Sequence, residues 1–234
     1  MIHESLSDRL AQKLESAYCH WDMYRRSSSP NAFTVAISRE AGTHGTTVAE
    51  EVGRRLKWQV YDHQLLNVVA ENMGVQKKLL ESVDEKQTSW LSEVFRRACA
   101  VPMVSEPAYV HHLTRTLLAL SVHGDCVIVG RGAAQILPEA NTLRVRLVAP
   151  MESRIAAIAR ERAVSLDEAK RFVETADQQH VTFIRDHFHK DPTNPEQYDL
   201  VLNAARFSVT ECAELIIQCL HELQAKTKTP VLHS

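Results

Sequence analysis

The stretch "GTHGTT" at residues 42–47 has the composition of an anion-binding loop. It follows the apolar run "FTVAI" and leads into a helical pattern that continues to Leu56. In such a strand-to-helix turn, the first backbone N–H groups of the helix point into one concavity at the positive end of the helix dipole. The glycines allow positive φ, and the threonine hydroxyls can donate to phosphate or ligate Mg²⁺. The candidate ligands are Gly42, Thr43, His44, Gly45, Thr46 and Thr47, with Thr46 and Thr47 also candidates for the metal.

This loop lacks the lysine of the G-x-x-x-x-G-K-[ST] template. The fixed positions of the template fall on Arg39, His44, Gly45 and Thr46, so only the last agrees. Phosphoryl transfer needs a cation beside the phosphates, and Arg39 is the nearest one, with a guanidinium that can bind two phosphate oxygens at once. Two alternatives stay open. The turn could be an ordinary strand-to-helix connection, and Arg39 could pair with Glu40 or Asp62 rather than with a ligand.

Two further charged residues follow predicted strands. Asp62 ends the run "QVYD", and Arg131 lies between two glycines after "CVIV". Ligands of open α/β sheets collect at the carboxyl ends of the strands, so both residues are candidates for the same site. The sequence also allows Asp62 to be a helix N-cap and Arg131 to be a surface loop charge.

Arginines recur on the helical patterns beyond the fourth predicted strand. They are Arg154, Arg160, Arg162 and Arg185. Their spacing by itself is typical of solvated helix faces.

Short runs rich in β-branched residues alternate with helical patterns from Phe33 onward. The five strand candidates are "FTVAI", "QVYD", "CVIVG", "LRVRLVA" and "DLVLN". This alternation predicts an α/β fold with a five-stranded parallel sheet covered by helices on both faces. Ser165 with Glu168 and Ser208 with Glu211 have the spacing of capping boxes ahead of apolar runs.

The chain divides into three parts. Residues 1–30 form an amphipathic helix and linker, residues 31–226 form the α/β domain, and residues 227–234 form a C-terminal tail. The apolar face of the first helix carries Leu6, Leu10, Leu14, Ala17 and Trp21. This face is predicted to pack on the surface of the domain or on a second copy, which makes the helix a candidate contact for a homo-oligomer.

The composition excludes several classes of protein. With 27 Lys and Arg against 29 Asp and Glu, the formal charge of −2 gives no basic field for nucleic acid. The five scattered cysteines indicate neither a disulfide framework nor a zinc site, which favours a reducing compartment. We see neither a signal peptide nor a run of 18 apolar residues, so we expect a cytoplasmic protein that does not cross a membrane.

Several motifs in order resemble those of the cytidylate kinase-like family, relatives of the nucleoside monophosphate kinases among the P-loop phosphotransferases. "ISREAGTHG" is similar to the I-S-R-x-x-G-S-G-G of that family, and "VYDHQLL" to its F-Y-D-[RK]-x-[LI]. The similarity extends through "VIVGRGA", "LRVRLVAPMESRI", "ETADQQHVTFIRDHF" and "YDLVLNAARFSVTECAELI", roughly residues 33–220. It implies a P-loop kinase fold, with a helical insertion for the nucleoside monophosphate near residues 63–123 and a lid near 160–190.

The resemblance also implies an activity, namely transfer of a phosphoryl group from ATP with Mg²⁺ to a small acceptor such as a pyrimidine nucleoside monophosphate. Arg39 would replace the lysine, Asp62 would join Thr46 or Thr47 at the metal, and Arg131 would hold the acceptor. Arg160, Arg162 and Arg185 would close over the transferring group. The sequence departs from the family pattern at His44 and at "DQQH", where such kinases carry arginines after the aspartate. The alternative function is a nucleotide-binding sensor or interaction protein without turnover.

Overall fold

A computed structural model describes residues 32–62 and 106–228 of the chain. The helices and strands follow each other in the order β1 (Thr34–Arg39), α1 (Gly45–Leu56), β2 (Gln59–Tyr61), α2 (Glu106–His123), β3 (Cys126–Val129), α3 (Ala133–Ile136), β4 (Thr142–Val148), α4 (Met151–Arg162), α5 (Leu166–Phe188), β5 (Leu200–Asn203) and α6 (Val209–Lys228). All five predicted strands are therefore confirmed. The predicted N-terminal helix and most of the insertion near 63–123 lie outside the described residues.

The five strands form one parallel sheet in the order β2-β3-β1-β4-β5. Val35 and Ile37 of β1 pack with α1 and α6 on one face, whereas Ala36 packs with α2 and α3 on the other. This alternation along β1 follows from the two-residue period of a strand, and it buries the central strand on both sides. The predicted sheet, covered on both faces, is confirmed.

The hairpin of α4 and α5 has a small apolar cluster of its own. Ile158, Ala169 and Val173 are buried between the two helices, and Ala41 of the loop after β1 packs against them. Ser165 caps α5 in the predicted capping box with Glu168. The hairpin is thereby fixed next to the carboxyl edge of the sheet.

The final helix α6 has a second capping box, because Ser208 Oγ accepts a hydrogen bond from Glu211 N while the Glu211 carboxylate accepts one from Ser208 N. Among the described residues, none of the helices combines the length and apolar composition of a membrane span.

Candidate functional site

The loop between β1 and α1 presents backbone donors toward the carboxyl edge of the sheet. Helix α1 begins at Gly45, within the predicted loop, and its first backbone bond runs from Val48 N to His44 O at 3.0 Å. The N–H groups of Gly45, Thr46 and Thr47 therefore precede the hydrogen-bonded turns of the helix. His44 caps the helix in the left-handed conformation at φ 53° and does not use its side chain for the cap. This geometry is that of an anion cradle at a helix N-terminus.

Thr43 stabilises the loop from within. Its hydroxyl donates to the carbonyl oxygen of Glu40 at 2.8 Å, and the residue is only 2% exposed. Thr46 is half-buried and Thr47 is exposed. The hydroxyls better placed for a ligand are therefore those of Thr46 and Thr47, whereas that of Thr43 already donates its hydrogen within the loop.

Arg39 crosses from the end of β1 to the end of β3. A Cβ built on Gly45 would lie 2.7 Å from Arg39 Cγ, and one built on Gly130 would lie 2.6 Å from Arg39 Nη1. The stem of the side chain thus packs on the first residue of α1, and its guanidinium reaches the residue that follows β3. Burial and the charge of Arg131 lower the pKa of Arg39, and the carboxylate of Asp62 opposes that shift.

Of the two acids considered as partners of Arg39, Glu40 is engaged elsewhere. Its carboxylate oxygens lie 3.4 Å from Arg146 Nη2 and 3.4 Å from Arg154 Nε. Asp62 is 7% exposed directly after β2, and its charge acts on Arg39. The charges of Asp62 and Arg131 therefore act on Arg39 in opposite senses.

Arg131 lies in a run of three residues with positive φ. Gly130, Arg131 and Gly132 have φ values of 75°, 53° and 78°. The guanidinium carbon lies 5.9 Å from the ring centroid of Tyr109 in α2, and the buried Nε has no hydrogen-bond partner in the described part of the chain. A non-glycine residue in this conformation costs free energy, so the turn directs the side chain of Arg131 at the expense of backbone strain.

The donor set at this edge suits Mg²⁺ better than a transition metal. The hydroxyls of Thr46 and Thr47 and the carboxylate of Asp62 are oxygen ligands, and Mg²⁺ in phosphotransferases takes one or two protein ligands plus phosphate oxygens. Within residues 32–62 and 106–228, no three His, Cys, Asp or Glu side chains are grouped as metal ligands. A Mg²⁺ ion that is held partly by the phosphates of a nucleotide does not require three grouped protein ligands.

Arg146 on β4 is part of the site, although the sequence did not single it out. It is 8% exposed, and its guanidinium lies 3.4 Å from Ser38 Oγ, from the Tyr198 hydroxyl and from the Glu40 carboxylate. The alternation in "LRVRLV" was the available signal, because it places Arg144 and Arg146 together on one face of a strand between two neighbours. A charge in that position needs partners.

A second set of contacts ties the hairpin of α4 and α5 to the loop. The Asp177 carboxylate accepts a hydrogen bond from Ala41 N at 3.0 Å and one from Arg154 Nη1 at 2.5 Å. Arg154 also donates from Nη1 to Ala41 O at 3.3 Å, and its backbone oxygen would lie 2.7 Å from a Cβ on Gly42. Asp177 and Arg154 therefore fix the shape of the loop, and Gly42 allows α4 to approach it.

The three other predicted arginines do not converge on the loop. Arg160 is exposed, and the guanidinium carbon of Arg162 lies 3.7 Å from the ring centroid of Phe172. Arg162 stands eight residues beyond Arg154, which is about 12 Å along the helix axis. Arg185 is exposed, with Nη2 3.7 Å from an Asp191 carboxylate oxygen. A closing function for these arginines stays a prediction.

Comparison with known proteins agrees with this arrangement. The family model described as the cytidylate kinase-like family matches residues 34–206, which span every strand of the sheet. The chain belongs to the cytidylate kinase-like family. Membership in this family identifies a nucleotide kinase-like phosphotransferase.

Individual relatives are distant. A cytidylate kinase from Methanopyrus kandleri is 28% identical over 192 residues, which cover 78% of this chain and 90% of that protein. The crystal structure of an uncharacterized protein from Eubacterium ventriosum matches with a TM-score of 0.66 at 17% identity, covering 82% of this chain and 99% of that one. A shikimate kinase from Bacteroides thetaiotaomicron matches with a TM-score of 0.45 at 15% identity, over 82% of this chain and 98% of that one. The second of these three supports the fold alone.

Proposed function

We propose that the protein transfers a phosphoryl group from ATP, with Mg²⁺, to a small acceptor, and that the acceptor is a pyrimidine nucleoside monophosphate. The proposal rests on the path of the Arg39 side chain. Its stem packs on Gly45 at the N-terminus of α1, and its guanidinium reaches Gly130 at the end of β3. A cation in this position lies beside the anion cradle that the backbone already forms. The acceptor is suggested by the name of the Methanopyrus kandleri relative.

The donor phosphates would bind at the cradle. The N–H groups of Gly45, Thr46 and Thr47 would donate to phosphate oxygens, and the Arg39 guanidinium would take the place of the absent lysine. Phosphoryl transfer is catalysed mainly by positioning and by stabilisation of charge on the transferred oxygens. The chain therefore needs no covalent nucleophile for this reaction.

Thr46 or Thr47 together with Asp62 would hold Mg²⁺, which supplies neutralisation of the phosphate charge when it is bound. Arg131 would bind the acceptor, because its guanidinium lies at the same edge of the sheet and its Nε lacks a partner within the described residues. Asp177 and Arg154 would hold the loop in shape through Ala41. Arg160, Arg162 and Arg185 would contribute only if the hairpin moved.

Nucleotide binding is tested by measuring the melting temperature of the protein with each of a panel of nucleotides in the presence of Mg²⁺. A ligand that binds only the folded form stabilises it by about 2.7 kcal/mol at a hundredfold excess over Kd. The nucleotides that bind are then assayed for transfer of labelled γ-phosphate to cytidine, uridine and other monophosphates. Transfer to a pyrimidine monophosphate supports the proposal. Binding without transfer to any acceptor contradicts it and supports a nucleotide sensor.

A further inference from the structure

The imidazole of His180 on α5 faces a group of cations from three other elements. Its Nε2 is buried and has no hydrogen-bond partner among the described residues. The charges that act on it come from Arg39 at the end of β1, Arg146 on β4 and Arg131 after β3. One acid acts in the opposite sense, Asp177, which lies one turn earlier on the same helix. The cluster therefore combines three guanidinium groups with one neutral polar atom.

This environment disfavours a positive charge on His180. Burial first, and then the charges of Arg39, Arg146 and Arg131, lower the pKa of His180 to about 4, while Asp177 raises it in part. The imidazole is thus neutral at pH 7. Part of the free-energy cost of protonating His180 is repulsion from the three guanidinium groups. An anion bound among these groups would attract the imidazolium and so raise the pKa of His180.

The neighbouring acids do not already supply that anion. The Glu40 carboxylate is shared by Arg146 and Arg154, and Asp177 binds Arg154 and Ala41 N. Asp62 offsets the charge of Arg39. Neither the Arg131 Nε nor the His180 Nε2 has a hydrogen-bond partner among the described residues; both atoms are buried, and the charge of Arg131 acts on His180. An oxyanion is the ligand chemistry that satisfies both.

We propose that His180 couples oxyanion binding to proton uptake, so that a phosphate or similar dianion enters this cluster together with one proton from solvent, which is held on the His180 imidazole. The imidazolium then donates from Nε2 to an anion oxygen beside Arg131 and Arg39. The proposal rests on the proposed function, since the anion is a phosphate group of the substrates. In this proposal, His180 determines the protonation state in which the site binds the anion.

The consequence is a pH-dependent affinity. Because the imidazole holds the proton more tightly with the anion bound, affinity rises as the pH falls toward the pKa of the anion-bound form. Substrate phosphates themselves titrate near neutral pH and would obscure the effect. Sulfate stays a dianion from about pH 5.5 to pH 8, so any change in its affinity over that range comes from the protein.

The test is an NMR titration of the histidine ring protons of the full chain with sulfate at several pH values. The resonance missing from the His180→Gln spectrum identifies His180. We expect this resonance to titrate well below pH 5 without sulfate and near pH 6.5 or above with saturating sulfate, the shift that a tenfold change in affinity requires. We also expect sulfate affinity to fall about tenfold or more between pH 5.5 and pH 8.

Three variants separate the contributions. His180→Gln keeps a polar side chain that cannot be charged, so its sulfate affinity should be weak and independent of pH. His180→Arg carries a permanent charge, so its affinity should stay high at pH 8. His221→Gln, an exposed position on α6, is the matched control and should behave as the wild type.

The contrary results are distinct. If sulfate binds but His180 does not gain a proton, or if the pH dependence persists in His180→Gln, the proposal is wrong while the anion site stands. Persistence in His180→Gln together with loss in His44→Gln would transfer the effect to the exposed histidine of the loop. If sulfate binds to none of the proteins, both the proton coupling and the anion site of the proposed function are overturned.

Discussion

The stem of Arg39 packs directly on the backbone of Gly45, so that a Cβ on Gly45 would lie 2.7 Å from Arg39 Cγ and 2.8 Å from Arg39 Cβ. Contacts this short are not tolerated, and the Cβ of Arg39 cannot swing away because it is attached to the end of β1. Gly45, which stands where the usual template has its lysine, thus has a steric function here. It leaves space for Arg39, the cation that we propose takes the place of the lysine.

Gly45→Ala should therefore displace Arg39 and reduce nucleotide affinity by about tenfold, the cost of a weakened charge-assisted contact. The melting temperature should fall as well, because the new Cβ meets the fixed Cβ of Arg39, and the preference of helices for alanine over glycine, about 1 kcal/mol, offsets only part of that strain. Calorimetric affinity and melting temperature check this. The double variant Arg39→Ala/Gly45→Ala is the control, and it should lose little more affinity than Arg39→Ala alone. Fully additive losses would indicate that Gly45 acts independently of Arg39.

Arg39→Ala should weaken binding of a nucleoside triphosphate by about 1.5–3 kcal/mol. Stability should change little, since burial and the like charge of Arg131 already lower the pKa of Arg39 and its removal relieves that repulsion. Affinity and melting temperature are measured together, with exposed Arg206→Ala as the control. Unchanged affinity with a lowered melting temperature would mean that Arg39 has a structural function, as a partner of Asp62.

Asp177→Asn should loosen the hairpin of α4 and α5 from the loop. The variant keeps an acceptor oxygen but loses the charge that binds Arg154, which is 5% exposed. We expect a loss of about 1–3 kcal/mol in the free energy of unfolding. Hydrogen exchange at the Ala41 amide should become faster. Asp186→Asn, on the exposed side of the same helix, should change neither quantity. An unchanged Ala41 amide would argue against the connection.

His180 should make the ligand-free protein less stable in acid. An unfolded chain binds a proton on this imidazole below about pH 6.5, whereas the folded form does so only near its lowered pKa of about 4. Stability is therefore full above pH 6.5 and is lost as the pH falls toward 4. The wild type should lose on the order of 1–3 kcal/mol more than His180→Gln between these values. Parallel stability curves for the two proteins, from urea unfolding, would contradict this.

Much of the fold could be predicted because its signals are local. Runs such as "CVIV" read as buried strands from their β-branched composition, and Ser165 with Glu168 indicated the start of α5 from four residues. The loop at residues 42–47 was located for the same reason, since a glycine- and threonine-rich turn between a strand and a helix presents its N–H groups whatever surrounds it.

The contacts within the candidate site could not be predicted in this way, since they join residues that are far apart along the chain. The Arg146 guanidinium reaches Glu40 across 106 positions, and Ala41 N reaches Asp177 across 136. Spacing along a helix says which residues share a face, but not which neighbour that face meets. Arg154, Arg160 and Arg162 looked alike in the sequence for this reason.

The sequence by itself determined an α/β fold with an anion loop that lacks a lysine, because composition, period and turn chemistry act within a few residues. The phosphotransferase activity was implied by the resemblance of its motifs to the cytidylate kinase-like family. Only the tertiary structure decided which charges meet at the loop. Parallel strands bring Arg39, Arg131 and Arg146 to one edge of the sheet. Helix α5 of the hairpin places His180 and Asp177 near the same charges. Electrostatic interactions depend on distance and burial, and both are set by the packing of the sheet rather than by the order of residues.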